Sequence, residues 1–138
     1  MKRIIYAYSL LMIIVLSACQ ANGEAMYDAG QVDDLKEVRL SEFKSLDSLN
    51  EEFEHLFSEE KELDIFRELI KSTQKRQQRD EELIYDYDVW LVYDDNAEKG
   101  IHLGKNDEDI IVLKYIGEST DEYVASEEAS RKLIDLLY

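Results

Sequence analysis

The segment from Ile84 to Tyr93 constrains the fold most, because side chains of two kinds alternate along it. One set is Tyr85, Tyr87, Val89, Leu91 and Tyr93, and the other is Asp86, Asp88, Trp90 and Val92. A period of two predicts a β-strand with one face toward a core. The turn-forming residues 94–96 and Gly100 follow, and then the apolar segment 101–103. This order predicts a β-hairpin.

Short strands and two helices are predicted on either side of this hairpin. Residues 38–40 and 53–57 show strand patterns, and residues 110–116 predict another strand. Apolar residues at helical spacing predict a helix over residues 59–77 with Ser58 as its N-cap, and a last helix capped by Ser126. This order predicts an α+β domain, an antiparallel sheet of about four to five strands packed by two helices on one face.

The N-terminus has the pattern of a secretory signal peptide. The basic residues Lys2 and Arg3 precede an apolar stretch over residues 4–16. A helix of that length covers only about 20 Å, which is less than the roughly 30 Å of a bilayer core. The stretch ends in small residues, so residues 1–18 are predicted to be cleaved after export.

The four residues Leu16, Ser17, Ala18 and Cys19 resemble the lipobox of bacterial lipoproteins. The resemblance implies cleavage between Ala18 and Cys19 and a diacylglyceryl group on the Cys19 sulfur. This lipid would hold the protein on the extracytoplasmic face of the cell membrane. The alternative is an ordinary signal peptide with a chance cysteine. Residues 19–34 lack a regular period and are predicted to be a flexible tether to a single domain over residues 35–138.

The composition is strongly acidic, with 32 Asp and Glu against 16 Lys and Arg. Loss of Lys2 and Arg3 with the signal peptide would leave 14 basic residues and a net charge of −18. Such a surface repels nucleic acid and anionic lipid, and it attracts basic proteins or divalent cations. The alternative interpretation is that the charge provides solubility only. The one cysteine excludes an intramolecular disulfide.

The C-terminal half resembles the YhfM-like small lipoproteins of Bacillus-type Gram-positive bacteria. The matching segments are residues 87–91, 101–104, 110–117, 123–126 and 132–137. The resemblance extends over about residues 35–138. It implies a Gram-positive lipoprotein of unknown function, and it transfers no catalytic residue and no cofactor.

Trp90 is the main candidate for contact with a partner. It shares a strand face with Asp86 and Asp88 in the predicted pattern, and exposed tryptophans are common anchors of protein interfaces. If the helices cover the tyrosine face, Trp90 faces solvent or a protein partner, with Tyr115 and Tyr123 as further candidates. The alternative is that both faces are covered and Trp90 lies in the core.

Two oxygen-rich loops are weaker candidates for a calcium site. Their residues are Asp94, Asp95 and Asn96 in one loop, and Asn106, Asp107, Glu108 and Asp109 in the other. We expect them to be neighbours at one end of the sheet. Neither loop has the EF-hand pattern, and ordinary turn formation explains the same residues. His55 and His102 together with a carboxylate are an even weaker candidate for zinc.

No pattern in the sequence specifies a catalytic reaction. A nucleophile elbow and a Cys–His pair are both absent from the sequence. Asp86 and Asp88 would lie about 7 Å apart on one strand face, a spacing that glycosidases also use. With 32 acidic residues such pairs arise by chance. The sequence therefore predicts a non-catalytic protein-interaction domain, with a lipoprotein that binds a small molecule or a divalent cation as the alternative.

Mass spectrometry of the membrane fraction tests the predicted anchor. We expect the mature protein to begin at Cys19 and to carry a diacylglyceryl group, because two acyl chains hold a protein on a bilayer whereas one does not. Detection of an unlipidated mature N-terminus would refute this prediction.

Overall fold

One antiparallel sheet of seven strands organises the computed structural model, which describes residues 24–76, 83–117 and 121–138. The strands are β1 (Leu35–Glu42), β2 (His55–Phe57), β3 (Gln74–Arg76), β4 (Tyr85–Tyr93), β5 (Glu98–Lys105), β6 (Ile111–Tyr115) and β7 (Glu122–Val124). Their order across the sheet is β2-β1-β4-β5-β6-β7-β3. The predicted α+β class is confirmed. The described sheet has more strands than expected, because β3 and β7 pair with each other at one edge.

The predicted hairpin of β4 and β5 lies at the centre of this sheet. Val89 pairs with Ile101 and Leu91 with Lys99, and β1 pairs along the other side of β4. Asn96 adopts a left-handed conformation in the connecting turn, with φ of 63°. The Asp95 carboxylate accepts the amide hydrogen of Ala97 at 2.9 Å. Turn chemistry therefore sets the register of the two strands.

Two helices pack against each other and cover one face of the sheet, here called the inner face. They are α1 (Glu60–Lys71) and α2 (Glu127–Leu137). Leu63, Phe66, Leu69 and Ile70 of α1 and Ala129 and Leu133 of α2 are buried, and they meet the buried residues of the strands. On β4 and β5 these are Val89, Leu91, Tyr93, Ile101 and Leu103.

The two helix starts were predicted with different success. The Ser126 hydroxyl accepts the amide hydrogen of Ala129 at 3.2 Å, which confirms the predicted cap of α2. For α1 the N-cap is Glu59 and not Ser58, and its side chain makes no capping hydrogen bond.

The helix predicted over residues 59–77 ends six residues early, at Lys71. The Ser72 hydroxyl donates to the Leu69 carbonyl at 2.8 Å, and the Thr73 hydroxyl donates to the Ile70 carbonyl at 2.6 Å. These bonds satisfy the last helical carbonyls. The chain then becomes extended, and β3 pairs with β7. The pairing of two distant segments, which local helical spacing does not report, therefore ends the helix.

The prediction of a flexible tether is wrong for residues 24–34. This segment forms two 3-10 turns, Tyr27–Gly30 and Val32–Asp34. Met26 is only 2% exposed and Val32 is fully buried, so both belong to the core. The Met26 amide also donates to the Thr73 hydroxyl at 3.1 Å. The predicted signal peptide and Cys19 lie outside the described residues.

Within the described ranges, the structure contains no helix that is long and apolar enough to cross a membrane.

Replacement of Met26 tests whether residues 24–34 belong to the folded domain. We expect Met26→Ala in the full chain to lower the free energy of unfolding by about 2–5 kcal/mol, because a buried side chain is replaced by a cavity. Gln31→Ala changes an exposed residue of the same segment and should have an effect within about 0.5 kcal/mol. Urea unfolding measures both. Equal stability of the two variants would contradict the packed arrangement.

Candidate interaction site on the outer face of the sheet

The face of the sheet opposite the helices is here called the outer face. On the central strands, every second side chain points to this face, and several of these side chains are polar. Strand alternation and register place Arg39 and Ser41 of β1, Asp88 and Trp90 of β4, His102 of β5 and Lys114 of β6 on it. Residues 43–54 connect β1 to β2 and partly cover this face, as hydrogen bonds to Asp88 and His102 show. Trp90 and its neighbours on this face, Arg39 and Gly100, are each half-buried.

Trp90 lies half-buried on the outer face, between strands β1 and β5. Its register neighbours are Arg39 on β1 and Gly100 on β5. A Cβ atom on Gly100 would lie 3.3 Å from the Trp90 ring and 3.2 Å from Ile116. The missing side chain of Gly100 therefore gives the indole ring its place against the sheet. Trp90 is thus neither fully exposed nor part of the buried core.

Two carboxylates lie one outward position along the strands from Trp90. Glu37 and Glu98 flank Val92, the next outward residue of β4, and Glu98 is exposed. The Arg39 guanidinium forms an ion pair with Glu37 and lies 5.8 Å from the centre of the Phe53 ring. Glu37 offsets the charge of Arg39, whereas Glu98 is an exposed carboxylate opposite Val92, the next outward residue after Trp90. An aromatic face next to a carboxylate favours a cationic group of a partner.

Asp88, predicted to share the partner surface with Trp90, is completely buried. One of its oxygens lies 2.6 Å from Nδ1 of His102, which is also completely buried. The other oxygen accepts the amide hydrogen of Asn50 at 2.7 Å. Asp88 is therefore unavailable to a partner, and its contacts hold the β1–β2 connection against the sheet.

Asp86 is also separated from Trp90, because the strand is irregular at this residue. Tyr85 pairs with Gly104 and Tyr87 with Leu103, so the register shifts at Asp86. The Asp86 carboxylate accepts a hydrogen bond of 2.5 Å from the Tyr138 hydroxyl at the end of α2. Asp88 and Trp90 therefore share the outer face as predicted, and the prediction is wrong for Asp86. The glycosidase-like pairing of the two carboxylates rested on the same regular alternation.

The two acidic loops lie at opposite ends of the sheet, which corrects the expectation that they are neighbours. One precedes and the other follows β5, and eight strand residues separate them by about 25 Å. Asn96 accepts a hydrogen bond from Lys36, and Asp109 accepts one from Lys105. Asp94, Asp95 and Asp107 are exposed. Among the described residues no group of three potential metal ligands occurs, and turn formation accounts for these loops.

The two histidines lie in different environments. His55 is exposed on the edge strand β2, where its ring stacks on Phe57. His102 lies inside, with the Phe43 ring edge-on at 5.0 Å and the Tyr85 ring at 5.5 Å. The structure therefore does not bring them together as ligands of one ion.

Further buried polar contacts hold tyrosines on both faces. On the inner face, the Tyr115 hydroxyl donates to the Asp28 carboxylate at 2.7 Å, and burial raises the pKa of Tyr115. On the outer face, the Tyr85 hydroxyl donates to Glu122 at 3.2 Å, and burial followed by the Glu122 charge raises the pKa of Tyr85. Tyr115 and Tyr123, expected as possible companions of Trp90, are buried in the core instead.

A groove of about 840 Å³ at the end of the sheet bears on the alternative of a small-molecule site. Its lining includes Lys75, Arg76 and Lys105. Each of these cations already has an acidic partner: Asp121 at 3.2 Å, Glu122 at 2.9 Å and Asp109 at 3.1 Å, respectively. The groove therefore does not present free cationic groups converging on a ligand.

The chain is similar in structure to a thioesterase-like protein from Clostridium sporogenes ATCC 15579. The TM-score is 0.60, and the match covers 75% of this chain and 94% of that chain at 16% sequence identity. At this identity the match shows a shared fold alone. No protein-family model matches the sequence, and no curated protein matches it.

The sequence pattern did not reveal the pair of Asp88 and His102. The signal that could have found it is the hairpin register, which places His102 directly opposite Asp88 once the turn is fixed. The contribution of Asn50 and Leu46 had no such signal, because they lie in an irregular connection.

Fluorescence quenching measures how far Trp90, the one tryptophan, is exposed. We expect partial quenching by acrylamide, because the indole ring is half-buried. Gly100→Val should increase the quenching constant, because the new side chain occupies the space of the ring. Circular dichroism checks that the variant folds. Equal quenching of the folded variant and the wild type would show that Gly100 does not seat the ring.

Proposed function

We propose that this chain is a lipid-anchored protein of the extracytoplasmic face of the cell membrane, with a non-catalytic domain that binds a basic protein or peptide through the surface around Trp90. The observation that carries the proposal is the half-buried Trp90 on the outer face. Its ring lies against Gly100, where a side chain would come within 3.3 Å of it. A pre-positioned aromatic ring loses little conformational entropy on binding, which suits an interface anchor.

Charge supports a basic partner at two distances. At long range, a formal net charge of −16 before processing, or −18 after it, attracts a cationic protein and speeds association at low salt. At short range, the exposed Glu98 is the register partner of Val92, the next outward residue after Trp90, so a long lysine or arginine side chain on Trp90 would extend toward a carboxylate. Nucleic acid and anionic lipid would be repelled, so the membrane contact is assigned to the lipid on Cys19.

A non-catalytic role is supported by the state of the chemically versatile groups. Ser41, Asp88 and His102 share the outer face in register, but all three are buried. The Ser41 hydroxyl donates to the Asn50 carbonyl at 2.5 Å, and both ring nitrogens of His102 have internal hydrogen-bond partners. A general base must reach the proton it removes from a substrate. The structural neighbour is described as thioesterase-like, which suggests a hydrolase. The internal contacts of Ser41, Asp88 and His102 do not favour that function.

Co-purification of the lipidated chain from cell envelopes tests the binding role. We expect Trp90→Ala to weaken retention of a basic partner by about 2 kcal/mol or more, roughly thirtyfold, because it removes the central anchor. Retention of that partner by the wild type should fall as salt is raised.

Tyr27→Ala is the matched control, because Tyr27 is a 72% exposed aromatic residue that contacts Tyr115 of the inner face. It should keep the partner, and circular dichroism should show both variants folded. A partner retained equally by Trp90→Ala and the wild type would reject this surface, and a partner that binds better at high salt would reject the electrostatic part.

A further inference from the structure

The folded part of the chain begins beside β3, at one edge of the sheet. The Lys75 amide donates to the Glu24 carbonyl at 2.6 Å, and the Met26 amide donates to the Thr73 hydroxyl at 3.1 Å. Residues 24–26 therefore run alongside residues 73–75, and the burial of Met26 fixes this path to the core. Since β3 is the last strand of the sheet in the described part of the chain, the chain enters the domain at that edge.

The short connection between Cys19 and Glu24 limits how the domain can lie on a membrane. Cys19 precedes Glu24 by five positions, and five residues span at most about 18 Å when fully extended. If Cys19 carries a lipid, Glu24 lies within about 18 Å of the bilayer surface. The opposite edge, β2, is six strand spacings from β3, or about 29 Å. The β2 edge therefore cannot face the bilayer, because Glu24 would then lie beyond the reach of the chain.

Charge disfavours contact of either broad side of the domain with an anionic bilayer. The segment 43–54, which partly covers the outer face, has four exposed carboxylates against one lysine: Asp47, Glu51, Glu52 and Glu54 against Lys44. On the other side, α1 and α2 contain four and three acidic residues against three and two basic ones. Both broad sides are therefore net negative, and anionic lipid repels them.

The edge at which the chain enters has a different charge pattern. Its strand β3 contains Lys75 and Arg76 and no acidic residue. Lys75 lies 3.2 Å from Asp121, and Arg76 lies 2.9 Å from Glu122, so these basic side chains offset the neighbouring carboxylates. The β3 edge can therefore approach an anionic bilayer with less repulsion than the outer face, where the four carboxylates of residues 43–54 are exposed.

An exposed aromatic residue lies on the same side of the sheet. Tyr27 follows Glu24 by three positions and is 72% exposed. Its ring stacks on Tyr115 with 5.8 Å between the ring centres, and Tyr115 packs edge-on against Tyr123. Tyr123 is the register partner of Lys75 on β3. Tyrosine combines an apolar ring with a polar hydroxyl, so it is suited to the headgroup region of a bilayer.

We propose that the surface formed by β3 and Tyr27, here called the entry surface, rests on the lipid bilayer and turns Trp90 toward the aqueous side. The proposal depends on the lipid anchor at Cys19, which is part of the proposed function. β4 is four strand spacings from β3, so Trp90 lies about 19 Å across the sheet from the entry surface. A basic partner then reaches Trp90 from solution, and a partner embedded in the same bilayer must extend at least that far out of it.

Quenching by nitroxide-labelled lipid tests this orientation, because a nitroxide quenches only tryptophans that lie close to it. The lipidated full chain is inserted in vesicles of phosphatidylcholine and phosphatidylglycerol that carry the nitroxide at the headgroup. The wild type reports on Trp90, the one tryptophan of the sequence. Trp90→Phe combined with Tyr27→Trp reports on the entry surface. Trp90→Phe combined with Leu56→Trp is the matched control at the opposite edge, since Leu56 is 60% exposed.

We expect the tryptophan at position 27 to lose most of its fluorescence, and those at positions 90 and 56 to keep most of it. Equal losses at positions 27 and 90, or the largest loss at position 56, would overturn the orientation. Strong quenching of Trp90 in the wild type would overturn it even if neither variant folds. Flotation of the same vesicles separates two failures: a chain that does not float rejects the lipid anchor and the orientation together, whereas a floating chain with equal losses rejects the orientation alone.

A longer connection tests whether the short one holds the entry surface on the bilayer. Insertion of about twenty Gly and Ser residues between Ala21 and Asn22 adds a root-mean-square span of about 25 Å. We expect the fluorescence loss at position 27 to become smaller, because the domain can then move away from the lipid, while flotation stays unchanged. An undiminished loss at position 27 would overturn the role of the short connection.

Discussion

The antiparallel pairing of β4 with β5 is the constraint on which the rest of the structure depends. β4 lies between β1 and β5, and its inward residues Val89 and Leu91 are buried in the core. The same register places Gly100 opposite Trp90 and His102 opposite Asp88 on the other face. Because side chains alternate with a period of two, a slip by one residue would exchange the two faces and bury polar groups in the core. Core packing and the outer-face contacts therefore specify one register together.

The outer face carries the buried pair of Asp88 and His102 and, beside it, the half-buried Trp90. Burial of two ionisable groups costs several kcal/mol in desolvation, and hydrogen bonds must offset that cost. Here Asn50 and Leu46 of the β1–β2 connection supply those bonds, so this connection and the pair of Asp88 and His102 stabilise each other. Removal of one partner of such a pair generally costs about 3–5 kcal/mol. Trp90 lies beside this region but outside it, held by packing on Gly100.

Several local features could be predicted from the sequence because they depend on neighbours along the chain. The alternation before residues 94–96 indicated the central hairpin, and Ser126 followed by acidic residues indicated the start of α2. Prediction failed where contacts between segments that are distant in the sequence determine the local structure. The strand β3 lies where helical spacing suggested a continued helix, because β7 offers it a pairing edge. Met26 and Val32 are two apolar residues without period, and their burial depends on a core made by other elements.

In the candidate site, too, features set by neighbours along the chain could be predicted, and features set by distant segments could not. The outward position of Trp90 could be predicted because alternation along a strand is visible in the sequence, but neither predicted companion is exposed beside it on the outer face. The irregular register at Asp86 removes this residue from the common face, and the β1–β2 connection occupies Asp88 through a hydrogen bond from Asn50. The acidic loops were expected together, although an eight-residue strand separates them. Each error arose from treating neighbours in sequence or composition as neighbours in space.

The sequence by itself determined the α+β class and the central hairpin, since hydrophobic period and turn residues act over a few positions of the chain. It also supplied the expectation of a lipid anchor at Cys19, which rests on a local motif. Only the tertiary structure decided that residues 24–34 pack against the domain, that Asp88 and His102 meet without solvent, and that Trp90 is half-buried on the outer face. Such contacts are made between segments 14 or more residues apart, and their strength depends on how completely the fold excludes water.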